Sequence, residues 1–214
     1  MTRIVVLANS KRPEGQCVAG IDLATGQWVR IITRQGDGIP SFRCFFDGKF
    51  LALCDILQVD LTRPRRVAQF QKENQVLVNW NWKIIGHMPP SDLRPFVRDA
   101  SPILHNHADR VAPTELEALP TDRWISLELI HPRKLSFGRN RFDDHRWIAS
   151  FEDKAGVAYS LRVTDPIVAG RLEEGESICP DCLLTVSLTK PWTHDAKEKA
   201  PLCYKLAAAV ITLA

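Results

Sequence analysis

Hydrophobic residues along this chain come in short runs separated by polar and proline-rich stretches, and no long segment repeats at the 3.6-residue period of a helix. Ile4-Val5-Val6-Leu7-Ala8 reads as a buried strand. Cys17 to Ile21 and Trp28 to Ile32 read as the arms of a hairpin joined over Asp22 to Gln27, with Gly26 available for a positive φ. A third strand is expected over Phe50 to Leu61 and a fourth over Val76 to Ile85. In the fourth, alternation sets Val76, Val78, Trp80, Trp82 and Ile84 on one face, which favours packing for the two tryptophans. Gln75, Asn79, Asn81 and Lys83 fall on the other.

Six prolines between Pro89 and Pro120 mark a different kind of segment, since proline is excluded from strand and helix interiors. Two short helices are expected there, Ser91 to Val97 with Ser91 as N-cap and Thr114 to Ala118. The second half then repeats the first in outline. Trp124 to Ile130, Trp147 to Phe151, Val157 to Val163, Leu183 to Leu188 and Cys203 to Ile211 are expected strands, with a short helix near Val168 to Glu174. The three alanines at 207–209 leave the last of these open to helix. The expected fold is mainly β, with two tandem OB-like five-stranded barrels and short helical inserts. The expected divisions are an N-terminal barrel over 1–88, a connection over 89–122 and a C-terminal barrel over 123–214.

A content of 45% hydrophobic and 25% charged residues supports a packed core. The net charge of +3 is small but uneven. Residues 1–112 carry 15 Lys and Arg against 10 Asp and Glu, and residues 113–214 carry 13 against 15. A mildly basic half suits a phosphate backbone or an ordinary solvated surface. No run resembles a signal peptide or a membrane span, so a cytoplasmic protein with no membrane partner is expected. Without a secretory signal the six cysteines are expected as free thiols.

Candidate contact residues fall mostly on strands. Asn9-Ser10-Lys11-Arg12 follows the first buried run and sets polar groups beside two cations, a phosphate clamp or a solvated turn. Trp28 and Arg30 alternate with Val29 and Ile31. They project outward together as a stacking ring with a cation, or Trp28 packs on the other barrel with Arg30 over it. Asn79, Asn81, Lys83 and Lys205 complete the candidate nucleic-acid contacts, Lys205 being equally a snorkelling lysine. His105, Asn106, Asp109 and Arg110 form a polar cluster expected to hold the domain junction. Cys179, Cys182, His194 and Cys203 have an irregular spacing that would serve zinc only weakly, and no cofactor is expected. No glycine-rich phosphate loop, nucleophile elbow or HExxH motif is present.

Several segments together resemble the dual OB-containing domain family: Val6 to Lys11, Gly15 to Asp22, Gly26 to Arg30, Leu104 to Val111, Ser126 to Pro132, Tyr159 to Pro166, Leu184 to Leu188 and Cys203 to Ala207. The resemblance implies two OB barrels and a role in nucleic-acid processing or prokaryotic defence, without a known reaction. The first expectation is a non-catalytic module binding single-stranded or structured nucleic acid. A protein-interaction or scaffold module is the alternative, resting on near-neutral charge and six tryptophans. A small metal-dependent enzyme using His105, His107 and Asp109, or Asp143 and Asp144, is the third.

Overall fold

The computed structural model describes residues 1–12, 15–36, 38–65, 70–98, 101–141, 143–193 and 200–213, and only the backbone of Asp144. In the first half β1 (Thr2–Arg12), β2 (Gly15–Asp22) and β3 (Trp28–Ile32) form an antiparallel meander. A 3₁₀ turn (Ser41–Cys44) leads into a two-residue hairpin of β4 (Phe45–Phe46) and β5 (Lys49–Phe50). Then come β6 (Asp55–Val59), β7 (Leu61–Thr62), β8 (Asn74–Leu77) and β9 (Lys83–His87). The sheet runs β7-β8-β3-β2-β1-β6-β9, with β3 and β8 parallel. Only Asp60 separates β6 from β7, so the chain joins the two sides of this path and the sheet curls round into a barrel. Ile4, Val6, Val18, Val29, Ile31, Leu57 and Val59 fill it. Gly20 sits where a Cβ would lie 1.9 Å from the Val5 carbonyl oxygen, so the close approach of β1 and β2 requires glycine there.

The second half repeats this path. After β10 (Arg110–Val111) and α1 (Pro113–Glu117) come β11 (Leu127–Ile130), β12 (Arg133–Asn140), β13 (Asp143–Glu152) and β14 (Ala158–Val163). Helix α2 (Pro166–Glu173), β15 (Cys182–Leu188) and β16 (Cys203–Thr212) follow. The order is β11-β15-β16-β14-β13-β12, with β14 and β16 parallel. Only His131 and Pro132 separate β11 from β12, so this sheet also curls back on itself. Taking β6–β7 and β11–β12 each as one interrupted strand, both halves pair their first strand with the second and fourth, and their third with the second and fifth. This is a five-stranded Greek-key barrel, and the fold is mainly β with OB-type barrels. Asp165 caps α2 by accepting from the Ile167 and Val168 amides at 3.0 and 3.1 Å.

Several expected elements differ in detail. Val76 to Ile85 is two strands rather than one. Asn79 accepts the Asn81 amide at 2.8 Å and donates to Asp60 at 3.1 Å, a local turn that ends β8. The strict alternation is therefore lost, and Trp82 reaches the core while Trp80 does not. The stretch expected as one strand over Phe50 to Leu61 is broken at Cys54, with φ of 69°. The segment at 90–96 is a 3₁₀ helix without a side-chain cap, and Ser91 lies inside it rather than capping it. β12 was not expected at all. β16 is strand throughout: Ala207 packs in the second core, and Ala208 and Ala209 lie between the barrels, where small side chains let two sheets approach.

The outer face of β1–β3 is covered by the second barrel. Val5, Leu7 and Ile21 pack with Leu129, Leu183 and Ile211, and Ala8 and Ala19 with Leu127, Ala208 and Ala209. Inside this seam lies Arg30, only 1% exposed. Its guanidinium donates to Ser126 Oγ at 2.9 Å, to the Ser126 carbonyl at 3.3 Å and to Ser187 Oγ at 3.3 Å. Ser126 Oγ donates in turn to Glu73 at 2.9 Å, and its amide donates to the same carboxylate at 2.6 Å. A cation and an anion from the first half are thus neutralised through a serine of the second. Thr185 Oγ1 donates to the Leu7 carbonyl at 2.6 Å nearby. Phe70, also from the first half, enters the second core and meets Trp124 edge-on at 5.0 Å.

The connection is equally built in. Ile103, Leu104, Val111 and Leu116 belong to the second core. Lys205 was expected on an outer strand face, but it is buried. Its ammonium donates to the Ile103 carbonyl at 2.7 Å, to the Asn106 carbonyl at 2.5 Å and to Asn106 Oδ1 at 3.0 Å. Burial pulls its pKa down to about 8. Asn106 also donates to the Arg110 carbonyl and to Glu115, each at 3.0 Å, while Asp109 and Arg110 lie 3.8 Å apart on the surface. His105 Nε2 lies 2.7 Å from the Ile125 carbonyl and donates to it, and burial lowers the ring's pKa.

Arg30→Ala leaves Glu73 buried without its cation, and it is expected to cost about 3–5 kcal/mol in urea unfolding followed by tryptophan fluorescence. His105 has its folded pKa below the ordinary 6.5, so its contribution is present above that value and is lost as pH falls through the folded one. Urea stability is expected to fall as pH drops below 6.5, and His105→Gln, which stays neutral and can still donate, should flatten that part of the slope.

Candidate nucleic-acid interface

The candidate contact residues separate by burial. Asn9 and Ser10 are buried, and Asn9 donates to the Leu51 carbonyl at 2.8 Å. Trp28 is half-buried in the apolar seam, and Arg30 is enclosed there, so the pair does not project outward to solvent. The sequence pattern was right that both leave the first barrel's interior, but the surface they reach is covered. Asn79 is taken up by its turn. Asn81 and Lys83 are exposed beside it, Lys11 is exposed at the end of β1, and Arg12 next to it is half-exposed.

The cysteine and acidic candidates are not gathered. Cys182 Sγ lies 2.6 Å from the Cys179 carbonyl and pairs in register opposite Thr212. Cys203 is at the other end of β16, about 30 Å away at ~3.3 Å per residue. There it is buried, which pushes its thiol up to about 11. His194 lies outside the described residues. His107 lies 3.5 Å from the Tyr159 hydroxyl, and Asp109 faces solvent. Among the described residues no group of three or more His, Cys, Asp or Glu is placed to hold a metal ion.

The two barrels differ in what their second and third strands present. OB barrels bind oligonucleotides across those strands and the adjoining loops. In the first barrel that surface carries Ala19, Ile21, Trp28 and Arg30, and the second barrel seals it. In the second barrel the equivalent surface, with β12 beside it, is open. Register places Ser136 opposite Ser150 and Ser150 opposite Ser160 in one row, and Gly138, Ile148 and Arg162 in the next. Small side chains keep this face low, and a Cβ on Gly138 would meet nothing. Its other side is sound. Phe137, Ala149 and Leu161 point into the core. At the barrel end Arg139 lies 4.1 Å over the Trp147 ring, and both bond Glu173 of α2.

Cations line the open face. Arg162 reaches solvent, yet desolvation by the sheet around it and the like charge of Arg146 hold its pKa below the usual arginine value. Arg146 shares the face by alternation and pairs with Asp143 at 2.5 Å. The seam adds another cation. The Lys11 amide donates to the Thr164 carbonyl at 3.1 Å, which ties the end of β1 to the chain just after β14, two residues from Arg162. Of these cations the sequence pattern marks out Lys11 but neither Arg146 nor Arg162. The face's only available signal was the Leu135, Phe137 alternation within an otherwise polar stretch.

Among the described residues no helix is long and apolar enough to cross a membrane. The chain matches no curated protein. Among solved structures it is similar to the one described as the crystal structure of the tetrameric p202 HIN2. The two are 11% identical over 98% of this chain and 91% of that one, with a TM-score of 0.29. That is too distant in shape to inform the site. The model of the dual OB-containing domain matches residues 2–210, nearly the whole length, and fits the paired barrels. The chain belongs to the dual OB-containing domain family.

Proposed function

We propose that this chain is a non-catalytic nucleic-acid-binding module, serving as a recognition component of a nucleic-acid-processing or prokaryotic defence system. The observation that carries this reading is the open face of β12–β14, where Ser136, Ser150, Ser160, Gly138 and Ile148 share the surface with Arg146 and Arg162, and where the exposed Lys11 is tied by its amide to Thr164 at the end of β14. A flat polar sheet face accommodates bases and sugars, and arginines and lysines at its margin neutralise phosphates. Arg12, Asn81 and Lys83 are further surface contacts in this reading. Asn9, Ser10, Trp28, Arg30 and Lys205 act instead from within, holding the barrels and the connection in place.

The protein-interaction reading draws less from the tryptophans than their number suggests. Trp28, Trp82, Trp124 and Trp147 all pack in or against the cores. Trp80 and Trp192 are the exposed ones.

Anisotropy titrations with labelled single-stranded DNA, single-stranded RNA and duplex, each at several salt concentrations, test the proposal. Wild-type affinity is expected to fall with salt, and Lys11→Ala/Arg162→Ala should reduce the slope of log K against log [salt] by roughly 0.7 per charge removed on single strands. Binding that is independent of salt, or absent for every probe, sinks it.

A further inference from the structure

The end of the first barrel carries a second surface that the open sheet face does not use. Phe42 is 70% exposed, Phe45 56% and Trp80 38%. Large rings are normally withdrawn from water, since each buried ring adds to folding. All three stand at the surface, and Phe45 and Trp80 each have a ring packed behind them. Trp80 stands edge-on to the buried Trp82 at 6.0 Å, which in turn meets Phe46 at 5.4 Å. Phe45 stands edge-on to Phe50 at 5.0 Å across the β4–β5 hairpin. Phe45 and Trp80 are therefore supported by neighbouring rings before anything binds.

Cations are interleaved with them. The Arg43 guanidinium lies 4.9 Å from the Trp80 ring and 5.3 Å from the Phe42 ring. Lys49 is exposed beside Phe50. Arg34 reaches the Val78 carbonyl at 3.5 Å, at the foot of the loop that carries Trp80. Among the described residues neither Arg43 nor Lys49 has a carboxylate at ion-pair distance, and Asp47 is the one acid in this hairpin. Rigid rings alternating with cations have a definite chemical complement, which is unpaired bases on a phosphate chain. A base presents a π-face to each ring, and a phosphate follows it at the spacing of the strand. A paired duplex hides its base faces, and an apolar protein surface offers nothing to the cations.

We infer that Phe42, Phe45 and Trp80, with Arg43 and Lys49, form a stacking site for unpaired bases of single-stranded nucleic acid, separate from the sheet face of the second barrel. This rests on the nucleic-acid reading above and narrows its ligand.

The test compares wild type, Phe42→Ala/Phe45→Ala, Trp80→Ala and Arg146→Ala/Arg162→Ala on a labelled thymidine 12-mer, an abasic strand of the same length and a 12-base-pair duplex. Urea midpoints control for folding, and the phenylalanines are exposed enough for their removal to leave the midpoint in place. Wild type is expected to bind the thymidine strand roughly tenfold or more tighter than the abasic one. The aromatic variants should lose that preference and keep duplex affinity and salt slope. If the aromatic variants retain the preference for thymidine while the arginine variant loses affinity for all probes, this site is wrong and the proposed function stands. If wild type binds no probe, both fall. A wild type that binds thymidine and abasic strands equally also overturns the stacking site.

Discussion

A guanidinium shut away from water must be answered by the protein, and Arg30 is answered from the other barrel. Its partners are Ser126 and Ser187, and Ser126 in turn satisfies Glu73. The apolar seam around it is non-directional and would tolerate sliding. The hydrogen bonds would not, because a shift of one residue along β3 would leave a buried charge facing carbon. The relative placement of the barrels therefore depends on this small polar network, and so does everything that spans them, including the meeting of Lys11 with the end of β14.

That placement divides the work between two copies of one architecture. Both halves follow the same strand path. One uses the outer surface of its early strands to hold its neighbour, and the other leaves the equivalent surface clear. The difference lies in side chains. Ala19, Ile21 and Trp28 make a surface that needs covering, whereas Ser136, Ser150, Ser160 and Arg162 make one that water can cover. One barrel's outer strand face is thus buried in the seam, while the other's is open to water.

Much of the architecture was legible in the sequence because burial leaves a periodic trace. The β2–β3 hairpin, the β13–β14 hairpin, α2 and β15 were all recoverable from apolar runs and the punctuation between them. Alternation also showed that Trp28 and Arg30 leave the barrel interior. It could not say whether water or another sheet lies beyond, since that depends on residues nearly a hundred positions away. β12 was illegible for the opposite reason. A strand with one solvated face of arginine, lysine, serine and glycine looks like a loop, and the surface best suited to a polar ligand leaves the weakest pattern. The β4–β5 hairpin with its exposed rings was missed because strands of two residues carry no period. Lys205 was misplaced because a charged residue in a strand reads as outward, although three oxygen acceptors were waiting inside.

β16 pairs with β15, β14 and β10, and its Ala208 and Ala209 lie against the first barrel. It is also the last strand of the second barrel in chain order. Until it emerges, the second barrel lacks its central strand, and the apolar surface of β1–β3 and the ring of Phe70 have nowhere to go. The nascent chain must carry an unfinished hydrophobic face until β16 is made. Completion of the fold is therefore a single late event that closes both halves at once, and a ribosome that stalls short of these residues releases a sticky intermediate rather than one finished barrel.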